Sequence, residues 1–162
     1  MAEYVVLDIL PGSNVDVVCD AHNMSQIESA SFDYVISASV FEHLLMPWKV
    51  ALEMNRVLKL GGMAWISTHQ TVGMHDRPWD FWRFSDTAWD ALFNHATGFR
   101  IVDRVVDYEE FILPFLIRDG KLDSEKAAGF ELSAVLVEKI GSTTLEWPVP
   151  LESIIETVYP AQ

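Results

Sequence analysis

Two aspartates in this chain stand directly after short apolar runs. Asp8 follows Tyr4-Val-Val-Leu7, and Asp20 follows Val15-Asp-Val-Val-Cys19. A carboxylate at the end of a strand can accept hydrogen bonds from a ligand. It can equally cap a turn, which Pro11-Gly12 and the polar run after Asp20 would suit. A third apolar run, Phe32 to Ser39, leads into Glu42-His43. There His43 can act as a general base toward a substrate proton, or fix a helix start through a structural hydrogen bond. His69, His75, Asp76, Asp80 and Arg83 then fall in or beside one polar, aromatic stretch. Imidazole and carboxylate are metal ligands. Their spacing here matches no compact motif, such as two histidines on one helical face, so no metal site is expected. Trp79, Phe81, Trp82 and Phe84 surround Asp80 and Arg83. They suit a packed loop held by an Asp80–Arg83 pair, or a lid over a substrate.

Strands and helices must position these groups. Tyr4 to Ile9 reads as a strand buried on both faces. Pro11 to Asn14 reads as a turn, and Val15 to Cys19 as a second strand. Only about six residues separate the two, whereas a parallel crossover normally takes a dozen or more. The pair is either parallel with a stretched link or antiparallel. Phe32 to Ser39 is a third strand. Pro47 opens a helix at the first-turn position that proline tolerates, with Val50, Met54, Val57 and Leu58 at helical spacing. Leu60-Gly61-Gly62 is expected to stop it. Met63 to Thr68 is a fourth strand and His69 to Arg83 a long loop. Ser85 or Asp86 is expected to cap a second helix, carrying Trp89, Leu92 and Phe93 to about Ala96, with Gly98 ending it. Phe99 to Tyr108 and Phe130 to Ile140 are two further strands, with a loosely helical insertion between them. This order predicts an α/β fold with a mainly parallel sheet. Ligands in such sheets bind beyond the carboxyl ends of the strands, where Asp8, Asp20, Ser37 to His43 and Ser67 to His75 fall.

Composition narrows the classes. The 162 residues suit one domain, 1–141, followed by a proline-punctuated arm, 142–162. That arm can pack on its own domain or on a dimer partner. Half the residues are hydrophobic, which excludes disorder. A net charge of −13 argues against nucleic acid as a partner. The single cysteine, Cys19, allows no internal disulfide and points to a reducing, cytoplasmic setting. The N-terminus does not resemble a signal peptide. The longest apolar stretch outside a strand, Phe111 to Ile117, is far short of the roughly 20 residues that span a bilayer.

Taken in order, several elements resemble the S-adenosylmethionine-dependent methyltransferases of the small-molecule, Rossmann-like type. The elements are Phe32-Asp-Tyr-Val35, Phe41-Glu-His43, Arg56-Val-Leu-Lys-Leu-Gly-Gly62, Leu7-Asp-Ile9 and Val17-Val-Cys-Asp-Ala-His22. Leu60 replaces the family's usual proline. The loop from His75 to Ser85 is similar to one branch of that family, which carries His, Pro, Asp and Arg-Phe in this order. The resemblance covers residues 4 to 108 and, more loosely, 130 to 140.

The resemblance implies a mainly parallel sheet with an antiparallel C-terminal strand, and it favours the stretched parallel link between the first two strands. It implies S-adenosylmethionine as cofactor and a small molecule as methyl acceptor. Asp8 would hold the ribose. Asp20 and Ala21 would face the adenine, and Ser37 would run beside the cofactor. His43, His75 and Arg83 would face the acceptor. The family's first strand and its Asp-x-Gly-x-Gly turn have no counterpart before Tyr4. The chain is therefore expected to begin at the family's second strand, truncated relative to the pattern. The sheet would then close up, recruit another segment or pair across a dimer. A binding or dimerisation module without catalysis is the alternative function.

Overall fold

The computed structural model describes residues 4–113 and 127–155. Its first two strands are brief: β1 is Leu7–Asp8 and β2 is Val17–Val18. They pair in parallel across a stretched link, Leu7 with Val17 and Asp8 with Val18. The carboxylate of Asp16 accepts the Val6 N–H at 2.8 Å and clips the short crossover closed. Leu7 is only partly buried and Asp8 is exposed, so this is not the strand buried on both faces that the apolar run suggests.

The second sheet is larger. β3 (Phe32–Ala38), β4 (Leu58–His69), β5 (Phe99–Ile112) and β6 (Ala127–Lys139) lie in the order β3-β4-β6-β5. β3 and β4 are parallel, while β6 runs antiparallel to both β4 and β5. Three of the four strands thus share one direction, and the last described strand is reversed. The two ends of the loosely helical insertion expected between Tyr108 and Phe130 instead extend β5 to Ile112 and begin β6 at Ala127, and residues 114–126 lie outside the described residues. Among the described residues no strand bridges β2 to β3, so the sheet neither closes up nor recruits a segment. The two parts are joined by packing instead. Cys19, Met24 and Val57 are buried together, with Leu7, Val17, Ile27, Phe32 and Val35 against them.

The helix α1 is Pro47–Val57, with proline in its first turn. It ends before the glycines expected to stop it. The buried ammonium of Lys139 donates to the carbonyls of Asn55 (2.5 Å) and Leu58 (2.8 Å), satisfying backbone groups that a helix end leaves open. Gly61, at φ +78°, sits in an irregularity inside β4, where the register jumps between Phe32–Leu58 and Tyr34–Met63. A side chain on Gly62 would lie 2.9 Å from the Lys59 carbonyl oxygen and 3.1 Å from that of Asp33. The glycine pair therefore lets β3 and β4 approach one another.

The second helix, α2, is only Ala88–Leu92. Its N-cap is Thr87, and neither Ser85 nor Asp86 caps it as expected; Asp86 binds the Thr87 N–H at 2.9 Å. The helix stops short of Ala96 because polar side chains capture the next turn. Asn94 Oδ1 accepts from Ala96 and Thr97, and the Thr97 hydroxyl donates to Leu92 O.

Both helices cover the same sheet face. Phe41, Met54, Leu58, Ile66, Trp89, Phe93, Phe99 and Val135 form its core. Trp89 stacks on Phe84 at 4.9 Å and meets Phe41 edge-on at 5.8 Å. The opposite face is bare: Tyr34, Ile36 and Trp65 are 70%, 66% and 41% exposed. Residues 142–155 include an arm along α1 of the same chain. Trp147 packs edge-on against Trp48 at 5.6 Å, and Lys49 Nζ donates to Val149 O at 2.7 Å. Among the described residues no helix is long and apolar enough to cross a membrane.

Candidate active site

Beyond the carboxyl ends of β3 and β4, Glu42, His43 and His75 bring titratable side chains together. Ser39 leaves β3 with φ +51° and donates its N–H to Ser67 O on β4. That turn sends the chain into a single 3-10 turn, Phe41–His43. Its middle residue, Glu42, is 0% exposed. One carboxylate oxygen, Oε2, accepts from the Thr68 hydroxyl. The other, Oε1, lies 3.2 Å from His69 Nε2 and 3.8 Å from His43 Nε2, with no aligned hydrogen bond to either. The Glu42 carbonyl accepts the N–H groups of Phe81 and Trp82, so the same residue also anchors the long loop.

Three imidazoles surround that carboxylate. The His43 and His75 rings meet edge-on at 4.9 Å, and those of His69 and His75 at 5.8 Å. His43 Nδ1 lies 2.5 Å from Trp79 O, and His75 Nδ1 lies 3.0 Å from Gly73 O. A carbonyl oxygen can only accept, so Nδ1 carries the proton in both rings. Nε2 of each neutral ring is then a lone pair.

The loop that brings His75 here is built on Asp80 and Arg83. The Asp80 side chain is closed to solvent and accepts from Arg83 Nη1 (2.6 Å), Arg83 Nη2 (2.9 Å) and the His75 backbone N–H (2.9 Å). The Arg83 hydrogen bond, above all, holds the Asp80 pKa down to about 2. Arg83 also donates to the carbonyls of Val72, Trp82 and Gly73. These bonds engage all five of its N–H groups. Arg83 thus positions His75, and none of its donors is left for an acceptor.

The other predicted residues occupy the ends of β1, β2 and β3. Asp8 is exposed, and its Oδ1 takes the Leu10 N–H at 2.8 Å. Asp20 is partly buried, and its Oδ1 takes both the backbone N–H (2.8 Å) and Nδ1 (2.6 Å) of His22. Burial pushes its pKa up, but the His22 bonds outweigh this and the net shift is downward. His22 Nε2 accepts the Met46 N–H at 3.1 Å, which ties Asp20 to the start of α1. Ala21 packs against the main core, and Ser37 is buried within β3. Asp8 and Asp20 thus end neighbouring parallel strands, while His43 and His75 meet at Glu42. Sequence reasoning named the histidines and missed the glutamate between them. The available signal was a carboxylate set in the apolar run Val40-Phe41-Glu42-His43-Leu44.

Comparisons with known proteins agree with this layout. Residues 6–66 match the family model described as a methyltransferase domain. No curated protein matches the sequence. An S-adenosylmethionine-dependent methyltransferase from Archaeoglobus fulgidus superposes with a TM-score of 0.57 at 14% identity, over 82% of this chain and 74% of that one. A protein assigned as a methyltransferase from Bacillus halodurans gives 0.56 at 15% identity, over 84% and 80%. One assigned as a sarcosine dimethylglycine methyltransferase from Galdieria sulphuraria gives 0.54 at 15% identity, over 82% and 68%. The parallel pairs, the reversed last strand and these superpositions converge: the chain has the Rossmann-like fold of the class I methyltransferases, and its residues 6–66 carry the pattern of the methyltransferase domain family.

Proposed function

We propose that this chain binds S-adenosylmethionine and takes part in methyl transfer to a small-molecule acceptor. The observation that carries this reading is the pair Asp8 and Asp20, at the carboxyl ends of adjacent parallel strands inside the matched segment. Each carboxylate uses Oδ1 for a local bond, and Oδ2 takes no hydrogen bond from the described residues. The residues therefore fit the adenosine half of the cofactor. Asp8 would accept the ribose hydroxyls. Asp20 and the Ala21 backbone would meet the adenine edge, and the Ser37 backbone would run beside the cofactor.

When bound, the cofactor supplies an electrophilic methyl group. The chain's part is to orient the acceptor in line with it, and positioning carries much of the rate in such transfers. His43 and His75 present Nε2 lone pairs on the acceptor side, suited to taking the proton that the acceptor loses. Arg83 and Asp80 hold His75 in place.

A second reading is favoured by one observation. The 162-residue sequence contains no Gly-x-Gly, so it offers no glycine-rich turn for the amino-acid half of the cofactor. On that reading the chain is a binding module without turnover. Calorimetric titration with S-adenosylhomocysteine tests both. Micromolar binding, weakened about 10-fold or more in Asp8→Ala as loss of a charged hydrogen bond requires, supports the cofactor site. No heat with the folded wild-type chain rejects it.

A further inference from the structure

We infer that Glu42, His43 and His75 form a binding site for one divalent transition-metal ion, zinc being the best match. One ligand atom from each of these residues lies within 4.8 Å of the others. Tetrahedral ligands at about 2.0–2.1 Å from zinc stand roughly 3.4 Å apart. Small ring movements would therefore close the group on an ion.

Four observations point to a cation rather than to packing alone. First, Glu42 is fully buried, yet its Oε1 has no aligned hydrogen bond. Burying a carboxylate without a full set of partners is costly. Second, Arg83, whose charge interacts with Glu42, is already committed, because it is bound to Asp80 through two parallel bonds. Third, the His43 and His75 rings each donate Nδ1–H to a backbone carbonyl. That is the outer-shell arrangement that metal-bound histidines use to aim Nε2. Fourth, the histidine side chains are 14% and 32% exposed while Glu42 is closed. An ion would be gripped from the protein side and keep open positions toward solvent. Two imidazoles, one carboxylate and an open position form a ligand set used by catalytic zinc. His69, 3.2 Å from Glu42 Oε1, stands beside the group.

The sequence conceals this site. His43 and His75 are 32 positions apart, and only the loop anchored by Asp80 brings them together. An ion there would occupy the Nε2 lone pairs and so replace their role as bases, favouring instead loss of a proton from an acceptor hydroxyl or amine bound beside it. The site itself rests on the geometry alone and not on the methyl-transfer reading.

Cobalt(II) is the probe, added to the tag-free 162-residue chain after chelator treatment. One equivalent is expected to bind, to give visible d–d absorption, and to be displaced by zinc. His75→Ala is expected to weaken binding by more than the roughly 10–100-fold that loss of an outer-shell partner costs. Its fold should persist by circular dichroism, because His75 lies in a partly exposed loop. His95→Ala, on the exposed surface, is expected to leave cobalt binding unchanged. No d–d absorption with the folded wild-type chain would overturn the site. So would absorption that survives both His75→Ala and His43→Ala. Because S-adenosylhomocysteine binding is read separately as heat, a lost metal site and a lost cofactor site are told apart.

Discussion

Arg83 turns all five of its N–H groups inward, and this decides what its loop is for. The guanidinium holds Asp80, Val72, Gly73 and the Trp82 carbonyl, and Asp80 in turn holds the His75 backbone. The pair is a positioning device. Its pH dependence follows from the depressed Asp80 pKa, about 2 against an ordinary 3.8. The stability it supplies is complete above about pH 4. It is lost as the pH falls toward 2. Urea unfolding at pH 5 and at pH 3 should show this decline, and Asp80→Asn should reduce the difference. An unchanged slope in the variant would mean that other carboxylates dominate. The Asp80–Arg83 pair was legible in the sequence because its members are three residues apart. Glu42 was not, because its partners Thr68, His69 and His75 arrive from β4 and the following loop.

At the scale of elements, local signals marked where strands run and failed where distant residues set the ends. β3 and the existence of β1 and β2 follow from apolar runs, whereas the parallel direction of the β1–β2 pair follows from the family resemblance and runs against the short link. α1 ends at Val57 because Lys139, from the last described strand, supplies an ammonium to its final carbonyls. Nothing near Gly61 could have announced that. α2 is shortened by Asn94 and Thr97, whose side chains compete for helix backbone groups. β5 and β6 extend to Ile112 and back to Ala127, since an antiparallel ladder tolerates exposed residues on both faces. Burial holds the Lys139 pKa down, so its charge is not free of cost. Lys139→Met would remove that desolvation penalty but leave two carbonyls unpaired, at about 1–3 kcal/mol each. A net loss of roughly 2 kcal/mol is expected from the denaturant midpoint, with an unchanged m-value. A gain in stability would show that the desolvation penalty is the larger effect.

At the scale of the whole molecule, the described fold is two sheets with packing, not backbone bonds, between them. Asp8 and Asp20 stand at the strand ends of the smaller sheet and the Glu42 group at those of the larger. α1 links them: its first turn follows His43, and the residue before it, Met46, is bound by His22. Glu53 and Arg56, further along α1, hold the Met24 and Ile27 backbone of the segment after Asp20. The fold class was readable from strand order. That the sheet stays divided was not, because pairing depends on which strands are present to bridge it.

The bare sheet face has a practical consequence for how this protein is measured. Ile36, Trp65 and Leu136 stand side by side in register across β3, β4 and β6, with Tyr34 exposed one step along. Dyes such as ANS, which brighten on apolar surface, should bind the folded chain strongly. Ile36→Lys should dim that emission while the far-ultraviolet dichroism stays the same. A dye-monitored melt would then start bright and show little rise on heating, so a stable sample would pass for a partly unfolded one. Backbone dichroism, which does not respond to dye binding, is the signal by which variants of this chain should be ranked.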